Sequence, residues 1–244
     1  MKILKILLIG GLIVVGGTLA YCYFGLAQYI WHQKMTIEVE VNGQLYTGAS
    51  VVKVTVQESE PLTKQLGYPL QFGATGETAF VELPGNRYLF ALLGGGPSNS
   101  GPQTNAVNIF EDRLPQRGIE RFAVLSTSRF KTEIPESQYP LLVTFTDLTD
   151  PTTVKVVDPD NLAATFGPGI ELKCLTLEIT DEPVTEGKIE QVLGWFFEVD
   201  SLTPRDKQPR FLKDQTPEQR VSLLDFMDWK TFGEKRKKVH RKDQ

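Results

Sequence analysis

The chain has 244 residues, of which 41% are hydrophobic and 23% are charged, and its formal net charge at pH 7 is −4. These values are typical of a folded globular protein with enough apolar residues to bury a core. The sequence contains only two histidines and two cysteines, which argues against zinc sites and against Ser-His-Asp or Cys-His hydrolases, because such sites need several of these side chains to converge.

The N-terminal segment carries the strongest signal, since the 22 residues from Ile6 to Ala27 include no charged side chain. A helix of about 20 apolar residues crosses the hydrocarbon core of a bilayer, and it satisfies its backbone polar groups internally. We therefore predict a cytoplasmic N terminus at residues 1–5 and a transmembrane α-helix over residues 6–30, which contacts the lipid bilayer.

Aromatic residues at the end of this run are typical of a lipid-water boundary. They are Tyr21, Tyr23, Phe24, Tyr29 and Trp31. A cleaved secretory signal stays open as an alternative, although the apolar run is longer than the usual core of about 7–15 residues. Acylation of Cys22 as a lipoprotein is disfavoured, because Tyr21 occupies a position where such signals carry a small residue.

The charges that flank the run predict its orientation. Lys2 and Lys5 precede it, whereas Lys34 and a neutral His32 follow it. Because positive charge stays on the cytoplasmic side, we expect a single-pass inner-membrane protein with a cytoplasmic N terminus and a periplasmic C-terminal domain.

Small residues recur at seven-residue intervals within the run, at Gly11, Thr18 and Gly25. Such a stripe allows close helix packing, so self-association through these residues is one hypothesis. The competing explanation is that glycine is common in membrane helices without any interfacial role.

After the run the pattern changes to the two-residue alternation of a half-buried strand at residues 36–41, where Ile37 and Val39 alternate with Glu38 and Glu40. The pair Asn42-Gly43 predicts a type I′ turn, with residues 45–47 as the returning strand. Further strands are predicted at 51–56, 78–83, 88–93, 122–126, 141–145, 153–157 and 170–179. We expect a mainly β domain over residues 35–230, an antiparallel sandwich or open barrel with a few short helices.

Three helices are predicted from their end signals. Residues 158–161 cap a short helix at 162–166, which glycine ends at 167. A second helix begins at Thr185 and has an apolar face that includes Ile189 and Phe196, and a capping box at 216–219 opens a third. We expect these faces to pack on the sheet, with a membrane-surface location of residues 192–197 as the alternative.

Carboxylates are the remaining candidates for catalysis. Asp147, Asp150, Asp158 and Asp160 lie close in sequence, and a glycosidase needs only two suitably spaced acids. Their neighbours are instead typical of side-chain-capped turns before proline and helix starts. We therefore assign no catalytic, cofactor-binding or metal-binding residue.

Two further segments lack the chemistry that their composition suggests. The glycine-rich stretch 94–102 has no lysine, and we expect its prolines to forbid the helix that a phosphate-binding loop requires. It is interpreted as a flexible connection, with a partner-binding loop as the alternative. The basic tail at 231–244 is expected to be disordered, and a periplasmic location would keep it from nucleic acid.

Three segments resemble uncharacterised membrane-anchored proteins of proteobacteria: LLVTFTDL at 141–148, VDPDNLAATFG at 157–167 and LEITDEPVT at 177–185. The resemblance implies a bacterial envelope location and implies no activity or cofactor. We expect a periplasmic domain that is not an enzyme and that binds envelope proteins or serves as an accessory of a membrane complex. The alternative is a carboxylate-dependent hydrolase acting on cell-wall or surface glycans.

Overall fold

The computed structural model describes residues 27–94, 101–197 and 223–227. It is mainly β, with two antiparallel sheets, which confirms the predicted fold class at that level. The strands are β1 (Gln28–Val41), β2 (Gln44–Glu58), β3 (Leu70–Thr75), β4 (Ala79–Leu83), β5 (Arg87–Ala91), β6 (Lys131–Glu133), β7 (Leu142–Phe145), β8 (Val154–Val156) and β9 (Ile170–Thr180).

Short helices connect the strands. They are α1 (Pro61–Gln65), α2 (Pro102–Ile109), α3 (Glu120–Thr127), α4 (Leu162–Phe166), α5 (Ile189–Val192) and α6 (Leu223–Phe226), with 3₁₀ turns at Glu111–Arg113, Glu136–Gln138 and Pro151–Thr153. One sheet has the strand order β3-β2-β1-β9-β6 and the other has the order β4-β5-β7-β8. The chain divides into a smaller unit, residues 55–73 with the N-terminal residues through Tyr29, and a larger unit, residues 30–54 and 74–244.

The β1–β2 hairpin forms as the sequence predicts. Asn42 has φ 51° and Gly43 has φ 85°, the two positive angles that a type I′ turn requires. Alternate side chains of β1 are buried at Ile37, Val39 and Val41, so the alternation also identifies the correct inner face.

The start of β1 corrects the predicted C-terminal end of the membrane helix. Residues 28–30, assigned to that helix, belong to the strand. Trp31 is only 3% exposed and stacks on Phe122, with ring centroids 6.3 Å apart. The assignment of Trp31 to a lipid boundary is therefore wrong, because the alternation of β1 begins earlier and turns this ring into the core.

Several predictions fall outside the described residues. They are the N-terminal residues 1–5, the membrane helix over 6–26 with Gly11, Thr18 and Gly25, the loop at 95–100, the capping box at 216–219 and the tail at 231–244. In the part of the chain that the structure describes, no helix is long and apolar enough to span a bilayer.

The four-stranded sheet packs its aromatic residues into one buried cluster, which we call the aromatic cluster. Phe90 at its centre is fully buried, with ring centroids 5.5–5.7 Å from those of three neighbouring phenylalanines. The cluster contains Tyr88, Phe90, Leu92, Leu141, Val143, Phe145, Val154, Ile189, Leu193, Trp195, Phe196, Phe226 and Met227. Its members come from residues 88–227, so the core depends on contacts that are distant in sequence.

The second predicted helix is shorter than expected but faces the core as predicted. Thr185 lies before it, because its backbone N–H donates to Val51 O at 3.0 Å and its hydroxyl accepts from Val51 N at 2.9 Å. Ile189 and Phe196 are fully buried. Trp195 is also buried, and its indole N–H donates to Leu148 O, which excludes the membrane-surface alternative for these residues.

Residues 122–126, predicted as a strand, instead lie in α3. The buried side chains are Phe122 and Leu125, which are one helical turn apart. The hydroxyls of Ser126 and Thr127 donate to the carbonyl of Ala123. A short apolar run does not distinguish a strand from a buried helix by periodicity alone, which explains the error.

Candidate functional site

The smaller unit exposes apolar side chains that its own residues do not bury. Six large hydrophobic residues of the described chain are exposed, and four of them lie within residues 62–72. These are Leu62 at 69%, Leu66 at 69%, Tyr68 at 68% and Phe72 at 47% exposure, and we call them the α1–β3 surface. Single exposed hydrophobic residues are ordinary in a globular protein, whereas a local concentration indicates an interaction site.

The local sequence explains how this surface forms. Pro61 occupies the first turn of α1, where its missing N–H is not needed. Leu62 and Leu66 are four residues apart, and Leu66 N donates to Leu62 O, so both side chains project from one face. Gly67 then ends the turn with φ 89°, and the chain returns as β3.

The α1–β3 surface contains little charge. Between Pro61 and Gly76, Lys64 is the one ionisable side chain other than Tyr68. Lys64 Nζ lies 2.7 Å from Glu58 Oε2, so its charge has a partner on β2. The polar end of this lysine therefore does not interrupt the apolar side chains at 62, 66 and 68.

The smaller unit also contains the point at which the uncharged N-terminal run ends. Glu58 N donates to Ala27 O at 3.0 Å, and β1 begins at the next residue, Gln28. Pro61 follows Glu58 by three residues. The last residue of the uncharged run and the first residue of α1 are thus held near one end of the β1–β2 pair.

Three of the four aspartates considered for catalysis cap turns with their carboxylates, as the sequence predicts, and the fourth, Asp160, donates its backbone N–H to one of these caps. Asp147 Oδ1 accepts from Thr149 N and Oγ1, and these hydrogen bonds lower the pKa of Asp147. Asp150 Oδ1 accepts from Thr152 in the same way, and Asp158 Oδ1 accepts from the backbone N–H of Asp160. Within the described residues, Asp147 and Asp160 line different clefts.

One of these clefts, the β9 cleft, has a volume of about 560 Å³ and lies along β9 and α4. Its acidic lining residues are Glu133, Glu136, Asp160 and Glu171. Lys173 lies 3.2 Å from Glu40, and the hydrogen bond and charge of that carboxylate raise the pKa of Lys173. Burial raises the pKa of Tyr139, and the charges of Glu133 and Glu136 add to the effect. Because four carboxylates and one lysine line the cleft, its charge is predominantly negative.

The second cleft has a volume of about 570 Å³ and lies beside Arg87 and Asp147. Arg87 donates to Pro84 O at 2.8 Å and to Phe166 O. The Arg87 guanidinium also lies over the ring of Phe166, 6.0 Å from its centroid. The arginine is thus held by the β4–β5 turn and by the end of α4.

His32 lies in β1. It is paired with Thr180 of β9, and its Nδ1 is 2.6 Å from Glu182 O. Cys174 is free and half-buried on β9. Among the described residues, no group of three or more His, Cys, Asp or Glu side chains has the arrangement of a metal site.

The glycine-rich segment also requires a correction. Its last proline, Pro102, does not forbid a helix, because it is the first residue of α2. Proline is favoured at that position, where no intrahelical N–H bond is lost. The N-cap is Gly101, and the N–H groups of Thr104 and Asn105 both donate to its carbonyl.

The α1–β3 surface is the feature that sequence analysis missed. Its signal was present as leucines four residues apart in a stretch with a single lysine. A five-residue helix is too short to give a clear periodic pattern. Comparison with protein-family models, with curated proteins and with solved structures found no match, so the functional argument depends on this geometry.

Proposed function

We propose that this chain is a single-pass inner-membrane protein whose periplasmic β domain, a sandwich or open barrel, binds envelope proteins or serves as an accessory of a membrane complex. The observation that carries the proposal is the direct junction between the uncharged run and the sheet. The run ends at Ala27, and β1 begins at Gln28. The Ala27 carbonyl accepts a hydrogen bond from the backbone N–H of Glu58. A transmembrane helix over residues 6–27 would therefore hold the domain close to the bilayer, where its partners are membrane proteins.

The turn chemistry of the aspartates supports binding rather than catalysis. Asp147, Asp150 and Asp158 each accept hydrogen bonds from groups two residues ahead. A carboxylate oxygen that caps its own turn stabilises the loop. A general acid or base instead needs a carboxylate oxygen that can reach a substrate. We therefore propose that the protein is not an enzyme.

Crosslinking in intact cells tests this function. A photoreactive amino acid at an exposed position of β2, such as Leu45 or Thr47, should give discrete adducts with a reproducible set of envelope proteins. The matched control carries the same amino acid at buried Val54 and should give none of them. Adducts that are absent at every exposed position would contradict the proposal, as would release of the full-length protein by carbonate washing.

A second candidate, a hydrolase acting on cell-wall or surface glycans, is favoured by one observation. The β9 cleft carries four acidic residues, and glycoside hydrolysis uses two carboxylates across a bound sugar. Purified full-length protein should then release soluble fragments from cell-wall glycan, and Glu133→Gln or Glu171→Gln should abolish the release. Equal release by the wild type and by both variants would exclude this chemistry.

A further inference from the structure

We propose that the α1–β3 surface lies in the interfacial region of the lipid bilayer, so that the domain touches the membrane beside its anchor. This inference takes the presence of a bilayer from the proposed function. It adds a second contact between lipid and protein, made by Leu62, Leu66 and Tyr68.

The position of α1 relative to the end of the uncharged run is the first argument. The hydrogen bond from Glu58 N to Ala27 O ties the chain before α1 to the last residue of that run. Pro61 lies three positions after Glu58, a span of at most ~10 Å. A run that spans the bilayer brings Ala27 to its surface, so α1 then begins close to that surface.

The chemistry of the exposed side chains is the second argument. Leu62 and Leu66 offer aliphatic groups, and Tyr68 combines an apolar ring with a polar hydroxyl, the pattern of side chains that bind at a membrane interface. All three are more than two-thirds exposed, at 69%, 69% and 68%. In water this exposure is unfavourable, and the acyl boundary of a bilayer removes it.

Charge is the third argument. No acidic residue occurs from Pro61 to Gly76, although the chain as a whole is acidic. The exposed acid nearest to this segment is Glu60, the residue just before α1, so the leucines and Tyr68 themselves present no negative charge to an anionic lipid surface. Lys64 has a long apolar stem, its side chain is 40% exposed, and its Nζ lies 2.7 Å from Glu58 Oε2. Because this charge is paired with Glu58, Lys64 adds no unpaired charge beside the leucines.

Depth-dependent fluorescence quenching tests the contact in the full-length protein. Both natural cysteines are replaced by Cys22→Ser and Cys174→Ser, and a single cysteine is introduced by Leu62→Cys or Leu66→Cys and labelled with an environment-sensitive fluorophore. The protein is reconstituted in vesicles of phosphatidylethanolamine and phosphatidylglycerol that contain a lipid with a nitroxide near the headgroup. The matched control is Leu45→Cys, a 52% exposed leucine beside the hairpin turn.

The proposal expects blue-shifted emission and quenching by the nitroxide lipid at positions 62 and 66, several-fold stronger than at position 45. Weak quenching at all three positions would overturn it. A blue shift without lipid quenching would also overturn it, because protein would then cover the surface. A dependence of that shift on the protein-to-lipid ratio would identify a second copy of the chain.

Carbonate washing of the same vesicles separates this proposal from the proposed function. A protein that resists washing but shows no lipid quenching at 62 and 66 keeps its anchor and loses the surface contact. A protein that washes off contradicts the anchor, and the quenching measured before the wash still decides the contact at α1.

Discussion

The aromatic cluster of the larger unit and the α1–β3 surface of the smaller unit use similar residues for different purposes. Phe90 is fully buried among other phenylalanine rings, whereas Leu66 is 69% exposed. Burial of apolar area stabilises a fold, whereas apolar area that stays exposed adds nothing to this hydrophobic stabilisation. Apolar composition alone therefore does not identify a core, and the exposed leucines of α1 need an explanation outside folding stability.

Removing one side chain from each region tests this difference most directly. Phe90→Ala should lower the free energy of unfolding by about 3–5 kcal/mol, because it leaves a cavity in a close-packed cluster. Leu66→Ala, the matched control, should change it by less than about 0.5 kcal/mol, since the side chain is exposed. Urea unfolding of the full-length protein in mild detergent, followed by tryptophan fluorescence, measures both. Equal losses would mean that α1 contributes to the folding core.

A second test compares two glycines, one from each unit. A Cβ added to Gly48 on β2 would lie 1.8 Å from the carbonyl oxygen of Phe80 on β4, so the two backbones approach too closely for a side chain. Gly48→Ala should cost about 3 kcal/mol, the upper range for overpacking, because backbone cannot move aside easily. Gly73→Ala in β3 is the control, since its Cβ would meet only Thr55 at 3.9 Å. The same unfolding experiment checks both, and a neutral Gly48→Ala would show that β4 can shift.

The sequence predicted those elements whose signals are local. Asn42-Gly43 predicted the hairpin because positive φ at both positions selects a type I′ turn. Asn161 predicted the start of α4, and its side chain does accept from Ala164 N. The aspartate turns were predictable for the same reason, since the carboxylates of Asp147, Asp150 and Asp158 each accept a hydrogen bond from a residue two positions ahead.

Elements that depend on distant contacts were not predictable in this way. Residues 122–126 look like a strand in the sequence, whereas in the structure they lie in α3 and Phe122 stacks on the distant Trp31. Trp31 itself looks like an interfacial residue until β1 is seen to begin at Gln28. The α1–β3 surface was missed because its function, as we propose it, lies in contact with lipid and leaves no strong periodic pattern.

A third test concerns the hydrogen bonds that attach α5, a member of the aromatic cluster, to the distant residue Glu77. Glu77 is fully buried, and its carboxylate accepts from Lys188 N at 2.8 Å and Ile189 N at 3.4 Å. Glu77→Ala should cost about 2 kcal/mol, because buried N–H groups lose their acceptor. Glu77→Gln keeps one acceptor oxygen and should cost less. Urea unfolding ranks the variants by stability. Amide hydrogen exchange at residues 188 and 189 should accelerate most in Glu77→Ala. Unchanged exchange would show that another group holds α5 in place.

The smallest expected effect concerns Cys174, a half-buried side chain between the two extremes of burial. Burial raises the pKa of its thiol, and the charges of Glu38 and Glu133 add to the increase. Since the thiolate is disfavoured in the folded protein, this group contributes stability below its unfolded pKa, and the contribution is lost as the pH rises through the folded pKa. In a Cys22→Ser background, iodoacetamide should modify Cys174 more slowly than a free thiol at the same pH, and Glu133→Gln should increase the rate a few-fold. Glu171→Gln is the control, because the raised pKa of Cys174 is due to burial and to the charges of Glu38 and Glu133. Equal rates for both variants would mean that access to the half-buried sulfur, and not thiolate formation, limits the reaction.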